Sequence, residues 1–198
     1  MDDILSTEVD QEMTSYVNLT LPIFEFILPQ KCIDEANEVI DNWKQSGEPA
    51  PEISNVRAKQ TQCNLQMPKT VEFTALCCKM ISNLVYNAGG RVYGGLNDGT
   101  NDIEYIARDC WGIDYSPGDY TVPHNHFPAD FSAVGFLKLE EGCSPVRFHG
   151  AGMFMDCSFQ PSERQLIIFD GKILHSVPPT SAERRVVALN LFKEPGTY

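Results

Sequence analysis

The chain has 198 residues, of which 42% are hydrophobic and 21% charged, and its formal net charge is −12. This composition excludes wholesale disorder, and the length predicts a single domain around one core. No run of 18 apolar residues occurs, so the sequence predicts no membrane span. The acidic balance disfavours nucleic acid as a partner, because phosphates repel a negatively charged surface.

The N-terminal segment and the cysteines indicate the compartment. Residues 1–20 are polar and acidic, carry no basic or apolar signal segment, and predict a flexible arm. The seven cysteines contain no CxxC pair. Both observations predict free thiols in a cytoplasmic protein.

Residues 21–106 are predicted to form a helical support region. Alternating apolar residues over 21–28 predict an opening strand. Apolar residues spaced three and four apart then predict a helix between Pro29 and Gly47 and another from Lys69 to Gly89. The glycine-rich segment 89–102 matches no phosphate-binding motif and predicts turns that could border a site.

Residues 107–193 are predicted to form a β-rich core. Short alternating segments recur every 8–12 residues with turn residues between them, which favours a sandwich or barrel. The fold class predicted is therefore mainly β with N-terminal helices. The predicted strands are 107–115, 120–125, 132–139, 145–149, 152–158, 165–169, 172–177 and 184–193.

Three of the four histidines are candidate metal ligands. His124 and His126 stand one residue apart near the end of a predicted strand, where residues i and i+2 share a face and both imidazoles can approach one ion. His175 is the candidate for a third ligand from a distant strand, since such a triad leaves positions for substrate and O₂. Asp130 is an alternative to His126 if the chain turns back at Pro128, although a loop carboxylate is the simpler interpretation.

A candidate anion-binding residue follows His175. A hairpin centred near Thr180 would place Arg185 directly opposite His175, on the same face of a sheet. A guanidinium beside a metal ligand suits an acid with two carboxylates, one on the metal and one on Arg185. Arg184 would then face the other way, toward solvent or Glu183.

These residues resemble a known family over about residues 107–192. The order of Trp111, Gly118, His124-Asn-His126, Ser132, Phe169, His175-Ser-Val-Pro178 and Arg185-Val-Val-Ala-Leu-Asn190 is similar to that of the non-haem Fe(II)- and 2-oxoglutarate-dependent oxygenases. The narrower resemblance is to a bacterial and phage branch in which HxH stands where HxD is usual.

The resemblance implies a fold and a chemistry. It implies a double-stranded β-helix (jelly-roll) core, Fe(II), 2-oxoglutarate as co-substrate, and O₂. His124 and His175 would bind the metal, with His126 as third ligand in an all-histidine site, and Arg185 would hold the far carboxylate of 2-oxoglutarate. The implied reaction is decarboxylation of 2-oxoglutarate to succinate, coupled to hydroxylation of an unreactive C–H bond.

The chain departs from the family pattern in the co-substrate site. Val187 stands two residues after Arg185, where the family often has serine, and Ile113 ends a Trp-x-Asn pattern of the nearest branch. Tyr115, Tyr120 and Ser132 are therefore alternative donors to the co-substrate.

Two other functions stay open at the level of sequence. One is a three-histidine, cupin-type dioxygenase that does not use 2-oxoglutarate, and the other is a non-catalytic jelly-roll binding or structural protein. The expected partner of an enzyme is a small molecule or a peptidyl side chain, and a homodimer is the default assembly.

Overall fold

The computed structural model describes residues 23–52, 54–63, 71–87, 104–150 and 156–194. The predicted arm (1–20) and the glycine-rich segment (89–102) lie outside the described residues. None of the helices within these ranges has the length and apolar character needed to cross a membrane. The elements, in chain order, are β1 (Ile23–Ile27), α1 (Gln30–Ser46), β2 (Val56–Arg57), β3 (Lys59–Gln60), α2 (Val71–Asn87), β4 (Tyr105–Tyr115), β5 (Tyr120–His124), β6 (Phe131–Leu139), β7 (Val146–His149), β8 (Cys157–Phe159), β9 (Gln165–Asp170), β10 (Leu174–Val177) and β11 (Arg184–Lys193).

Strands β4 to β11 form two antiparallel sheets of a jelly roll, as the sequence predicted. Sheet A has the order β1-β9-β6-β11-β4-β3, and sheet B has the order β2-β5-β10-β7-β8. The predicted fold class, mainly β with N-terminal helices, is confirmed. Strand β1 confirms the opening strand predicted over 21–28, and β2 and β3 are further strands of the region predicted as helical support; all three extend the two sheets.

Helix α1 forms where its apolar residues repeat every three or four positions, and it ends at Gly47, whose φ of 70° is left-handed. Its buried face packs on the outer side of sheet A together with α2. At Gly112 in β4, a Cβ atom would collide with the side chain of Ile40. The absence of a side chain there lets the helix lie directly on the sheet.

Strand β11 alternates between the two sides of sheet A. Val187, Leu189 and Leu191 are buried against the helices. The residues between them face sheet B, namely Arg184, Val186, Ala188 and Asn190. Every second residue of β11 therefore borders the space between the sheets.

Each predicted strand has a counterpart among the described residues, and most bounds differ from the predicted ones by one or two residues. The strand predicted at 172–177 begins at Leu174, because residues 170–173 form a turn. In this turn the backbone N–H of Ile173 donates to the carbonyl oxygen of Asp170 at 3.0 Å, and the Lys172 N–H donates to the Asp170 carboxylate at 2.8 Å. Residues 151–155 of the strand predicted at 152–158 are outside the described residues, and β8 covers Cys157–Phe159.

Candidate metal centre

A cavity of about 370 Å³ lies between the two sheets of the jelly roll. Alternate residues of β4 and β11 form one wall, and β5 and β10 contribute the opposite wall. His124, His126 and His175 all line this cavity. The sequence therefore predicted correctly that the three imidazoles come together.

The pairing of β5 with β10 positions two of the histidines. His124, the last residue of β5, lies directly opposite His175 of β10, and their ring centroids are 4.4 Å apart. His126 follows β5 in a turn whose backbone is fixed, because its N–H donates to the carbonyl oxygen of Gly171 at 2.7 Å. The His126 ring stacks on His175 at 5.0 Å between centroids.

Two of the imidazoles have a defined tautomer. The Nδ1 atoms of His124 and His175 lie 2.9 and 3.0 Å from the carbonyl oxygens of Val122 and Ile173. A carbonyl oxygen only accepts, so Nδ1 carries the proton and donates in each neutral ring. The Nε2 lone pair of each ring is therefore available to a metal ion.

The cavity keeps these imidazoles uncharged. Burial, and then the neighbouring imidazoles, lower the pKa of His126 to about 2 and that of His175 to about 3. Burial also lowers the pKa of His124 below 6.5. Neutral imidazole is the form that binds metals.

The three histidines form a group that could hold a metal ion, with their ligand atoms all within 4.8 Å of one another. An imidazole set suits iron, zinc, copper or nickel rather than calcium or magnesium. Asp130 does not join the group, because its carboxylate accepts a hydrogen bond from the backbone N–H of Lys193 at 2.7 Å. Of the two alternatives for the third position, His126 is the one that reaches the cavity.

A buried arginine lines the same cavity. The Arg184 side chain stacks over the rings of Tyr115 and Phe136, and its Nη1 donates to the carbonyl oxygen of Ser144 at 3.1 Å. Its Nε atom is buried without a hydrogen-bond partner. Among the described residues no carboxylate forms an ion pair with it, so the cavity contains a cation whose charge is uncompensated.

The predicted pairing of His175 with Arg185 is wrong. His175 pairs with His124 and Phe148 in sheet B, whereas Arg185 pairs with Asp114 and Lys138 in sheet A. The hairpin does not form because the connection after β10 contains Pro178 and Pro179, which have no N–H to donate to a ladder, and the chain crosses to the other sheet.

Arg185 faces the helices instead of the cavity. It donates to both carboxylate oxygens of Asp114, at 2.6 and 3.0 Å, and to Asp41 of helix α1 at 2.8 Å. Arg184 points inward, which also corrects the expectation that it meets solvent or Glu183. The inward-facing arginine of β11 is therefore one residue earlier than predicted. In a strand, a shift of one residue exchanges the two faces of the sheet.

The sequence matches no protein-family model and no curated protein. The fold does match that of solved structures along most of the chain. A Pseudomonas putida prolyl-4-hydroxylase superposes with a TM-score of 0.59 at 18% identity, covering 88% of this chain and 94% of that one. A viral collagen prolyl hydroxylase from Paramecium bursaria Chlorella virus-1, solved as a 2-oxoglutarate complex, has a TM-score of 0.56 at 18% identity, covering 85% and 94%.

A third structure is the Trichoplax adhaerens prolyl hydroxylase in complex with a peptide from the oxygen degradation domain of hypoxia inducible factor. Its TM-score is 0.55 at 18% identity, covering 86% of this chain and 83% of that one. This chain has the fold of the 2-oxoglutarate- and Fe(II)-dependent oxygenases. The bacterial and phage branch within that superfamily stays a prediction.

Of the three alternative co-substrate donors predicted for this 2-oxoglutarate oxygenase fold, one lines the cavity. The Tyr115 hydroxyl lies 2.7 Å from Thr121 Oγ1, and both residues border the cavity near Arg184. Tyr120 is 38% exposed and lies outside the cavity lining. Ser132 is buried behind the lining, where its hydroxyl donates to Asn190 Oδ1 at 3.0 Å.

Because Arg184 and not Arg185 faces the cavity, the residue two positions after the cavity arginine also differs from the predicted one. Val187 packs between sheet A and the helices, and the residue two positions after the inward arginine is Val186, which lines the cavity. The family's serine is therefore absent at this position as well. The sequence analysis assigned no functional role to Arg184, Thr121 or Asp109. A signal for Arg184 was present, because Val186 and Ala188 are small and lie on the same face of β11 as Arg184, the face that borders the cavity.

Proposed function

We propose that this chain is an Fe(II)- and 2-oxoglutarate-dependent oxygenase that hydroxylates a C–H bond of a small-molecule or peptidyl substrate. The observation that carries the proposal is the placement of an unpaired, buried Arg184 and three neutral imidazoles around one cavity. Iron bound by these imidazoles would supply O₂ activation, with one oxygen atom entering the succinate formed as 2-oxoglutarate loses CO₂ and the other entering the substrate C–H bond.

The residues fit 2-oxoglutarate by charge. Three neutral ligands leave the charge of a divalent metal uncompensated, and Arg184 adds a second positive charge at the other end of the same wall. A dianion with a carboxylate at each end matches this arrangement. Arg184 would bind the far carboxylate, and the hydroxyl pair of Tyr115 and Thr121, which has one proton left after its own hydrogen bond, would donate one further bond to it.

The surroundings of Arg184 hold it ready for this role. Its guanidinium is fixed by the Ser144 carbonyl and by the rings of Tyr115 and Phe136, so little side-chain freedom is lost when an anion binds. Val186 and Ile113 are apolar neighbours on the same wall. They keep water from competing for the guanidinium, which strengthens its hydrogen bonds to a carboxylate.

The test is turnover of 2-oxoglutarate labelled at C1, with Fe(II) and purified protein, followed by release of labelled CO₂ and by succinate. We expect slow turnover without a prime substrate and none in a His175→Ala variant. We expect Arg184→Met to weaken 2-oxoglutarate binding at least roughly tenfold, because it removes a charged hydrogen-bonding group. Arg185→Met removes the same group one residue along, outside the cavity, and is expected to keep the wild-type affinity.

Two outcomes would contradict the proposal. Failure of the metal-loaded wild-type protein to bind or turn over 2-oxoglutarate would exclude the activity. Equal affinity of wild type and Arg184→Met would remove the co-substrate site and favour the three-histidine dioxygenase, which has the same all-imidazole ligand set.

A further inference from the structure

The end of the cavity opposite Arg184 carries a carboxylate. Asp109 lies on the same face of β4 as Trp111 and pairs in register with Asn190 of β11, and all three residues line the cavity. Asn190 and Arg184 are six residues apart along β11, which corresponds to roughly 20 Å. The cavity wall is therefore cationic at one end and anionic at the other.

The candidate metal centre lies between these ends and next to the anionic one. The ring of His126 packs against Trp111, with 5.6 Å between centroids, and Trp111 is two residues from Asp109. If 2-oxoglutarate extends from the histidines to Arg184, the space between the histidines and Asp109 is left for the prime substrate. This step rests on the proposed function.

Asp109 has no counter-charge within the described ranges. Its carboxylate makes no hydrogen bond or ion pair there, and Arg184, at the far end, is the only lysine or arginine among the described lining residues. A half-buried carboxylate without a partner favours a ligand that brings the positive charge with it.

The neighbours of Asp109 also suit a cation. Trp111 presents an aromatic ring to the cavity beside it, and aromatic rings attract ammonium and guanidinium groups. Asn190 is held in place by the hydrogen bond that its Oδ1 accepts from Ser132 at 3.0 Å. The net charge of −12 adds long-range attraction for cations.

We propose that Asp109 selects a prime substrate with an aliphatic organic cation, either an alkylammonium or a guanidinium group. The cationic nitrogen binds the Asp109 carboxylate beside Trp111, which leaves a C–H bond farther along the aliphatic chain at the histidines. The substrate then bridges from Asp109 to the candidate metal centre, on the side of that centre away from Arg184.

The test is calorimetric binding of matched probes to protein loaded with Zn(II) and 2-oxoglutarate. Nα-acetyl-lysine methylamide is compared with its neutral counterpart Nα-acetyl-norleucine methylamide, and n-butylammonium with n-butanol. The first pair represents a lysyl side chain and the second a free amine, so the tighter-binding pair identifies the source of the cation. We expect the cationic member of that pair to bind at least roughly tenfold more tightly than its neutral counterpart.

Two variants assign the preference to Asp109. Asp109→Asn keeps the shape but removes the charge, and we expect it to abolish the preference for the cation. Glu163→Gln removes the same charge from an exposed turn outside the cavity and is expected to retain it. Absence of binding by both cationic probes, equal affinity for the neutral probes, or a preference that survives in Asp109→Asn would overturn the inference.

The same titrations separate this inference from the proposed function. Binding of Zn(II) and of 2-oxoglutarate is measured on each sample before any probe is added. If either fails to bind, the proposed function is contradicted. If both bind and the cation preference is missing, only the assignment of Asp109 is contradicted.

Discussion

The three cavity histidines differ from surface histidines in their affinity for protons. Burial and mutual proximity lower the pKa of His126 to about 2 and of His175 to about 3, and burial lowers the pKa of His124. Protons compete with a metal only at pH values near or below the pKa of the folded state. These ligands therefore stay available to a metal at pH values where solvated imidazoles, with a pKa near 6.5, are largely protonated.

This difference predicts how metal affinity depends on pH. Three solvated imidazoles would lose roughly 50-fold in affinity between pH 7.5 and pH 6, whereas the buried set is expected to lose less than about threefold. Titration with Co(II), followed by its visible absorption, measures the affinity at each pH. A loss of tens of fold over this interval would mean that the imidazoles titrate like exposed ones.

At the level of secondary structure, Arg185 connects helix α1 to sheet A. Its guanidinium bonds Asp114 of β4 and Asp41 of α1, and Lys44 of α1 donates to the same Asp114 carboxylate at 2.7 Å. Burial alone would raise the pKa of Asp114, but the hydrogen bonds from Arg185 and Lys44 outweigh it and hold the pKa below 3.8. The network fixes the helix to the outer face of the wall that forms the cavity.

Arg185→Met is therefore expected to lower the free energy of unfolding by about 2–3 kcal/mol, since it leaves a half-buried carboxylate without its main partner. Denaturant unfolding measures this change. Lys138→Met is a control on the opposite neighbour of β11, because it removes an exposed cation whose ion pairs with Glu140 and Glu183 are screened by solvent. An Arg185→Met variant as stable as Lys138→Met would show that the network does not hold the helix.

The sequence predicted those features that depend on local periodicity. Spacing of three and four gave α1. The two-residue spacing of His124 and His126 predicted correctly that both imidazoles reach one site, although His126 lies in the turn after β5 and its position depends on the hydrogen bond to Gly171. The position of Arg185 depended on pairing between β10 and its neighbours, which is non-local and is decided by Pro178-Pro179 turning the chain to the other sheet. Both alternating sets of β11 are largely apolar, so hydrophobicity alone did not distinguish its two faces.

The addition of β2 and β3 to the sheets was not predictable for a related reason, whereas β1 lies within the strand predicted at 21–28. Strands β2 and β3 have two residues each, and their partners lie in β5 and β4, more than 50 residues away. Such short segments carry no periodicity. Their pairing depends on sheet edges that form from the rest of the chain.

For the molecule as a whole, the candidate metal centre joins β10 to the end of β5 and to the turn after it, segments about 50 residues apart along the chain, so metal binding should stabilise the fold. A metal at 100 times its dissociation constant stabilises the native state by about 2.7 kcal/mol. For a chain of this length, that corresponds to a rise in Tm of roughly 5–10 °C. Thermal unfolding with and without Co(II) measures the rise, and a chelator should reverse it.

Two histidine variants test whether this stabilisation comes from a metal bound at the three cavity histidines. His126→Ala is expected to lose most of the rise because it removes one of three ligands. His149→Ala is a matched control, since His149 bonds Ser176 and Asp156 and lies outside the cavity. A rise that persists in His126→Ala, or that disappears in His149→Ala, would contradict a metal site at His124, His126 and His175.

The position of β11 in the middle of sheet A has a consequence for synthesis of the protein. It lies between β6 and β4, yet it is the last of the described strands along the chain. Strand β1 pairs with β9, which begins 142 residues after β1 does. Helices α1 and α2 therefore leave the ribosome long before the surface that buries their apolar faces exists. The nascent chain must keep these faces from aggregating until residue 193 has been added, so its folding is expected to wait for the synthesis of β11 and to be slow.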